Sequence, residues 1–425
     1  MKKVIASAGL LALGAVGVHD ARADWAAGTD KPWSISGTLR GFYDSNVNTQ
    51  PDHSGAHVSS FGLEASPSIH AALSSGPTTF TASYTYGLIY YENRASNHYD
   101  QTHDVELFMN HSFSERYSLD VEESFIDAQE PEVLSPLGGS VQRANGDNFR
   151  NVAGFHFTDQ VTQLLGLVFG YSNTWYDYTG SLPAGNPGPA YSSTLNRLEH
   201  LVILNARWQV QEETTVVLGY NFGATGYTSS SSINEIGRPY VSPARKNDYS
   251  HYIYLGLDHA FRSDLSFSGR AGIQIVDYYN DSTTQVSPYA SLSLNYNYMD
   301  GGVLSLGFTH AKNATDVGVD INNPNGPLTT DQESSTVSLS VIQTLTPLSP
   351  DLTANLNASY QNSVYNQGVF NNQADDFYIL GVSFSYQFTH YISGEIGYNY
   401  DLLESKILGR GYNRDRVYVG VTATY

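Results

Sequence analysis

The chain has 425 residues, no cysteine and a formal net charge of −20. The lack of cysteine excludes disulfides, thiolate metal sites and a cysteine nucleophile, and the excess of acids argues against a nucleic-acid partner. The 32 tyrosines and 38 glycines suit short strands and turns better than helical bundles. No stretch beyond the N-terminus approaches the roughly 20 apolar residues that a membrane-spanning helix requires.

The N-terminus has the features of a secretory signal. Two lysines precede an apolar stretch over residues 4–18, and an A-x-A cleavage motif ends at Ala23. Cleavage there would remove three basic residues and one acid from the 21 and 41 in the chain, which leaves 18 against 40 and a mature charge of −22. We therefore expect a signal peptide over residues 1–23 and a short periplasmic segment over residues 24–32.

From Trp33 onward, segments of about twelve residues alternate apolar and polar side chains. In the last segment, Val417 and Val419 fall on one face, and Tyr418 and Gly420 on the other. Because successive side chains of a strand point to opposite faces, each segment has one apolar side. Eighteen such segments are predicted, over residues 33–43, 58–73, 79–90, 105–113, 117–125, 149–157, 165–176, 198–208, 215–224, 249–261, 265–278, 286–298, 303–312, 335–345, 352–360, 377–388, 392–400 and 416–425.

The connections between these segments alternate between tight turns and mostly longer loops. The largest loops are expected over residues 128–147, 177–194, 228–247 and 314–331. Aromatic residues gather beside the tight turns, as at a membrane interface; they are Trp33, Phe113, Tyr117, Phe157, Trp208, Phe261, Tyr298, Phe388 and Tyr425. Since outer-membrane barrels keep short turns on the periplasmic side, both ends of the barrel chain should lie there.

These features predict an all-β fold: a single transmembrane antiparallel up-and-down β-barrel over residues 33–425, in the outer membrane of a Gram-negative bacterium. We expect about 18 strands, with 16 as the alternative, and closure of the first strand against the last. No plug domain is expected before the barrel.

Four residues depart from the pattern. Pro67 and Pro288 fall within strands, where proline removes a ladder hydrogen bond and usually implies a bulge or a chain edge. His111 and Glu123 fall on the face assigned to lipid. Either the register slips by one residue or these side chains lie near an interface, and we favour a slip near Glu123.

The polar faces should line the lumen and carry its charges. An acidic wall on the fourth and fifth strands facing a basic one on the first and last would set a field across the pore; alternatively, the charges neutralise one another and fill the lumen. The candidate lumen-lining residues are Arg40, Asp44, Glu64, Glu106, Asp120, Glu122, Arg150, Arg197, Arg207, Asp258, Arg270, Glu395 and Arg416.

Aromatic residues on the lumen faces could form a track for a sugar chain, or simply pack inside a wide barrel; they are Phe42, Phe108, Tyr252, Tyr254, Tyr289 and Tyr418. The 13 histidines are dispersed and show no ligand spacing, so we predict neither an enzyme nor a cofactor. Acids such as Asp316 and Asp320 could hold Ca²⁺, although a solvated acidic loop is the simpler interpretation.

The opening segment Gly41-Phe42-Tyr43-Asp44-Ser45-Asn46-Val47 and the alternating strands resemble the β-barrel porin 2 family. That resemblance implies an outer-membrane barrel, and some family members are associated with exopolysaccharide export. The final Val421-x-Ala423-x-Tyr425 looks like the assembly signal that the barrel-assembly machinery reads.

The predicted function is a porin-like channel for passive diffusion of small hydrophilic solutes, with a mild preference for cations. Three alternatives remain: an export barrel for a polysaccharide; a structural or adhesive barrel whose lumen is blocked by loops; and a rim enzyme, which would need a Ser/Asp–His constellation at the loop ends that the sequence does not show. The expected partners are outer-membrane lipid and lipopolysaccharide, the barrel-assembly machinery, and the solutes or polysaccharide.

Overall fold

The computed structural model describes residues 31–52, 55, 57–95, 97–128, 148–179, 191–233, 240–318, 327–407 and 410–425. The predicted signal peptide and residues 129–147 of the loop predicted over residues 128–147 therefore lie outside the described residues. The strands are β1 (Trp33–Asp44), β2 (Ser60–Ser75), β3 (Thr78–Tyr91), β4 (Tyr99–Ser112), β5 (Tyr117–Ala128), β6 (Asn148–Gln160), β7 (Leu165–Tyr178), β8 (Arg197–Gln211), β9 (Thr214–Tyr227), β10 (Asp248–Arg262), β11 (Leu265–Tyr278), β12 (Thr283–Met299), β13 (Gly302–Asn313), β14 (Asp331–Thr344), β15 (Leu352–Asn366), β16 (Ala374–Thr389), β17 (Ile392–Ser405) and β18 (Tyr412–Thr424).

All strands pair antiparallel with their neighbours in the chain, and β1 closes the barrel against β18 from Ser36↔Thr424 to Asp44↔Arg416. This confirms the 18-strand up-and-down barrel. A path that passes from each residue to its paired neighbour on the next strand, once around the barrel, returns to β1 about 22 residues from its starting point. A stagger of this size corresponds to a strand tilt of roughly 40°.

Two short helical segments occur in the described loops: α1 (Tyr191–Leu195) and a 3₁₀ helix over Pro243–Lys246. Among the helices of the described residues, none is long and apolar enough to cross a membrane.

The outer surface carries the apolar faces of the strands. Side chains such as Leu39, Leu255 and Val286 are more than half exposed. Aromatic residues mark both ends of this band, for example Trp33 and Tyr43 on β1. Ten residues of tilted strand span roughly 25 Å, the height of the apolar band of outer-membrane barrels.

Each proline interrupts the hydrogen-bond ladder on one side only. Pro67 stays paired with Gly37 of β1, while the β2–β3 pairing skips Ser66 and Pro67 and resumes in the same register. Pro288 stays paired with β11, but the described β12–β13 pairing ends at Ala290↔His310. Neither proline forms a bulge, because the missing N–H affects only the strand toward which it would point.

The register does not slip near Glu123, so that prediction is wrong. Glu123 faces Leu107 of β4 and Ala153 of β6 without any register shift. Its carboxylate accepts a hydrogen bond from the Asn151 amide, which explains how an acid can lie on the apolar face. His111 bonds Thr78 at 2.7 Å, beside the short turn that joins β2 and β3.

Candidate functional site: the barrel lumen

All 13 predicted lumen residues lie on the faces opposite to the exposed apolar side chains. Their arrangement is uneven around the barrel. The lumen faces of β8 to β12 are filled by buried side chains, including Asn205, Asn221, Tyr254, Gln274 and Tyr289. We call this the filled wall. By contrast, the lumen-facing side chains of β4 and β5 are largely half-exposed.

At the closing seam, Arg40 links three strands. It donates to Glu395 at 2.5 Å and to Glu64 at 3.0 Å. To reach Glu395 its side chain crosses Gly420 of β18, where an added Cβ would lie 2.6 Å from Arg40 Cγ. The positive charge of Arg40 is therefore compensated within the seam.

Higher on the same seam, a fully buried carboxylate holds two arginines. Asp44 Oδ2 accepts bonds from Arg414 at 2.7 and 2.9 Å and from Arg416 at 2.9 and 3.0 Å. Asn46 N–H donates to its other oxygen at 3.0 Å. Arg414 was not among the predicted residues because it precedes the predicted start of the last strand, although its alternation with Arg416 was the available signal.

A second ion cluster joins the filled wall. Arg270 bonds both oxygens of Asp258, at 2.7 and 3.1 Å, and Arg207 reaches the same carboxylate at 3.2 Å. The Ser268 hydroxyl donates to the same carboxylate at 2.7 Å. The side chain of Arg270 lies over Gly256, where a Cβ would approach its Cδ to 2.4 Å.

Two further bases lie at the outer end of the lumen. Arg197 is buried, bonds Glu199 at 2.6 Å and lies over the Tyr176 ring at 3.8 Å from the centroid. Arg150 is opposite Ile126 and Tyr176, and its Nε finds no hydrogen-bond partner among the described residues.

On the other side of the lumen, β4 and β5 carry Glu106, Asp120 and Glu122, which we call the acidic wall. Ser83 donates to Glu106 at 3.3 Å and Asn110 to Asp120 at 2.6 Å. Asp120 and Glu122 are close enough for their charges to repel each other. The structure thus brings the three acids together on the half-exposed side, whereas most of the predicted bases are ion-paired elsewhere.

Four outer loops turn inward and meet over the lumen. We call the described residues 191–196, 228–233 with 240–247, 314–318 with 327–330, and 406–407 with 410–411 the loop cap. Fully buried Lys246 donates to the carbonyls of Thr194 at 3.3 Å and Thr315 at 2.8 Å, and so ties three loops together. Burial, with Arg197 nearby, lowers the pKa of Lys246 to about 7.

The fourth loop joins the loop cap through Arg410. It bonds Asp316 at 2.8 and 3.2 Å and Asp375 at 3.0 Å. These carboxylates raise the pKa of Arg410 against the opposing effect of burial. Asp316 is therefore a buried ion-pair partner and not part of a solvated loop; Asp320 lies outside the described residues.

The lumen aromatics fall into separate groups. Tyr252 and Tyr254 both contact Tyr289, with centroids 5.3 and 5.6 Å apart, and this group belongs to the filled wall. Phe42 packs on Tyr91 at the seam, and the Arg40 guanidinium lies 5.1 Å from the Tyr418 ring centroid. Phe108 lies apart from both, on β4 opposite Glu122.

Two of the described histidines, His251 and His259, occupy positions in the barrel wall. His251 bonds Tyr220 at 2.8 Å and His259 bonds Thr214 at 2.9 Å, both on the membrane face. No group of three or more His, Asp or Glu suited to a metal ion occurs in the described part of the chain.

At the C-terminus, the predicted assembly residues Val421, Ala423 and Tyr425 lie on the membrane face. Tyr425 N–H donates to the Ile35 carbonyl at 2.8 Å, and its ring contacts Trp33 and Lys31. The last residue thus helps to hold the closing seam at the end of the barrel that carries the short turns.

The closed sheet, its apolar band and its polar lumen define a porin-like β-barrel of the outer-membrane class. The model of the family described as "Putative beta-barrel porin 2" matches residues 310–425. This confirms the resemblance for the chain from the end of β13 to β18. No curated protein matches the sequence.

Several solved barrels are similar in structure. OpdK from Pseudomonas aeruginosa shares 12% identity, with a TM-score of 0.43, over 92% of this chain and 99% of its own. A BenF-like porin from Pseudomonas fluorescens Pf-5 shares 10% identity, with a TM-score of 0.46, over 92% and 99%. The FrpB iron transporter from Neisseria meningitidis shares 10% identity, with a TM-score of 0.48, over 95% and 82%.

Proposed function

We propose that the protein is a passive diffusion channel for small hydrophilic solutes. The observation that carries this proposal is the division of the lumen into a filled wall and a half-exposed acidic wall. A closed barrel of 16–18 strands is wide enough for an aqueous channel, and hydroxyl and carboxylate groups along β3 to β5 can solvate a polar solute. The solute path therefore runs beside the acidic wall.

The charges favour cations along this path. Arg40, Arg207, Arg270 and Arg416 are each bonded to a carboxylate, so their fields are largely cancelled at a distance. Asp120 accepts a bond from the neutral Asn110, and the charges of Asp120 and Glu122 repel each other. A wall of one sign raises the local concentration of the opposite ion.

A blocked barrel is the second candidate, and the loop cap is the observation that favours it. Lys246 and Arg410 fasten loops to one another through buried contacts, which would narrow the outer mouth. The polysaccharide alternative has no comparable support, because the described aromatic groups are separated and Tyr254, Tyr289 and Phe42 are buried.

Liposome swelling distinguishes the two candidates. Vesicles that contain the folded protein should swell in isosmotic solutions of small neutral sugars, and the rate should fall as the sugar becomes larger. Protein-free vesicles and vesicles with heat-denatured protein are the controls. If even the smallest sugar gives no swelling beyond these controls, the blocked barrel replaces the channel.

The route to the membrane belongs to the same proposal. The signal-like residues 1–23 would direct export, and residues 24–32 would remain in the periplasm. The barrel-assembly machinery would then insert the barrel beside lipopolysaccharide. The position of Tyr425 at the closing seam supports its role as an assembly signal.

A further inference from the structure

Glu123 places a carboxylate on the membrane face at mid-depth. It is the seventh residue of β5, counted from Tyr117 at the periplasmic end. Six residues of tilted strand rise about 15 Å, which is near the middle of an apolar band of roughly 25 Å. Lipid chains offer no hydrogen-bond donor to a carboxylate. One donor, Asn151, comes from the protein itself, and it leaves acceptor positions of the carboxylate open.

A complementary polar group lies two strands away. Tyr171 is the seventh residue of β7 and therefore has nearly the same depth as Glu123. Its hydroxyl bonds His200 at 2.8 Å, and the Asn173 amide lies 3.2 Å from the same ring nitrogen. One amide hydrogen of Asn173 is bonded to the Glu199 carbonyl at 3.0 Å. When the hydrogen of His200 lies on Nδ1, the ring donates to the Tyr171 hydroxyl, and the hydroxyl hydrogen and the second Asn173 hydrogen remain as donors on the membrane face.

Ala153 of β6 lies midway between the acceptor and the donors. It is paired directly with Glu123 on one side and with Asn173 on the other. Its methyl side chain would allow another surface to approach closely. The strip formed by β5, β6 and β7 thus presents an acceptor, a small residue and donors in order.

We propose that this strip joins two copies of the chain in the membrane. A two-fold axis along the membrane normal beside Ala153 sets β5 of one copy against β7 of the other. Glu123 of each copy then faces Tyr171 of the second copy at nearly equal depth, with Asn173 two residues further along β7. A two-fold interface requires such self-complementarity, and two parallel cylinders touch along a strip only a few strands wide.

Single-cysteine cross-linking tests this arrangement, because the chain has no cysteine of its own. Ala153→Cys lies next to the axis. Ala271→Cys, an exposed residue on the membrane face of β11, is the matched control. After copper-catalysed oxidation in outer membranes, Ala153→Cys should give a reducible band at twice the monomer mass and Ala271→Cys should stay monomeric. A monomer from both, equal dimer from both, or cross-linking to a protein of another mass overturns the proposal.

A second variant tests the polar contact itself. In the Ala153→Cys background, Glu123→Leu should lower the dimer yield several-fold, whereas Val121→Leu, two residues away on the same face, should not. Heat-modifiable mobility on gels shows whether each variant has formed its barrel. If folded Glu123→Leu cross-links as well as the parent, the carboxylate does not hold the copies together and the proposal fails.

Discussion

At the scale of single residues, glycines on the lumen face mark places where a long side chain crosses a strand. Gly420 lies under Arg40, Gly256 under Arg270, and Gly219 under Tyr254. From sequence alone, each of these glycines indicates only a small lumen residue. The structure shows that the missing side chains at Gly420 and Gly219 make room for contacts between strands that are not adjacent, Arg40 with Glu395 and Tyr254 with Asn205. At Gly256 the room is used by the Arg270–Asp258 pair between the adjacent strands β10 and β11.

Filling one of these positions should destabilise the barrel. A Cβ at Gly420 would meet Arg40 Cγ at 2.6 Å and Glu395 Oε1 at 3.0 Å, so Gly420→Val must displace the ion pair. We expect a loss of about 1–3 kcal/mol in the free energy of unfolding, measured by urea titration in lipid. Gly37→Ala, with no atom within 4 Å of the added Cβ, should change it little; equal losses would contradict the explanation.

Lys246 should make the loop cap sensitive to pH. Its pKa is lowered from 10.5 to about 7 in the folded protein, so the unfolded chain binds the extra proton between these values and stability rises with pH across that window. Below about pH 7 the ammonium is charged while buried, and the loop cap is at its weakest. Lowering the pH from 8.5 to 6 should therefore increase conductance or its fluctuation in single-channel recordings.

Lys246→Met is the control for that pH effect, since it keeps the buried volume similar without a titrating group. Its conductance should vary less between pH 6 and 8.5 than that of the parent protein. An unchanged pH dependence would assign the effect to another group.

At the scale of elements, the alternation of apolar and polar residues predicted all 18 strands and the periplasmic turns. The largest errors lie at the outer ends: β4 begins at Tyr99 instead of residue 105, β15 ends at Asn366 instead of residue 360, and β18 begins at Tyr412 instead of residue 416. There the strands extend beyond the lipid, so both faces become polar and the alternation disappears. The alternation of apolar and polar residues therefore cannot predict the parts of a strand that extend outside the membrane.

The same argument explains what could be predicted of the lumen. The side on which a residue such as Arg416 lies follows from period-two alternation. The ion-pair partner of Arg416 cannot be predicted from this alternation, because the contact with Asp44 depends on the register between β1 and β18. The loop cap was beyond prediction since Lys246 acts through backbone carbonyls of distant loops.

The last strand should be decisive for assembly. Tyr425 bonds Ile35 and contacts Trp33 at the seam, and β18 covers the edge of β1 that would otherwise stay open. Deleting Tyr425 should reduce the heat-modifiable barrel in outer membranes far more than a substitution in an outer loop such as Tyr240→Ser. Equal barrel yield from both would contradict this role.

At the scale of the whole molecule, the contacts that stabilise the barrel and the open part of its lumen lie on different walls. Ion pairs and packed rings fill the lumen side of β8 to β12 and close the seam between β1 and β18, while the acidic wall remains half-exposed. Because the chain has a charge of −20, acids outnumber the bases, and most of the lumen arginines are paired with carboxylates in structural contacts. In the channel that we propose, the ion preference would come from a few residues on the neighbouring strands β4 and β5.

The most direct test of the channel is the reversal potential of purified protein in planar bilayers under a KCl gradient. We expect stable open steps with a cation-signed potential, and a shift toward zero in the double variant Asp120→Asn/Glu122→Gln. Asp376→Asn, on the membrane face where it bonds Tyr360 at 2.7 Å, should leave the potential unchanged. Silence across many insertions, an anion-signed potential, or an unchanged potential in the double variant would contradict the account.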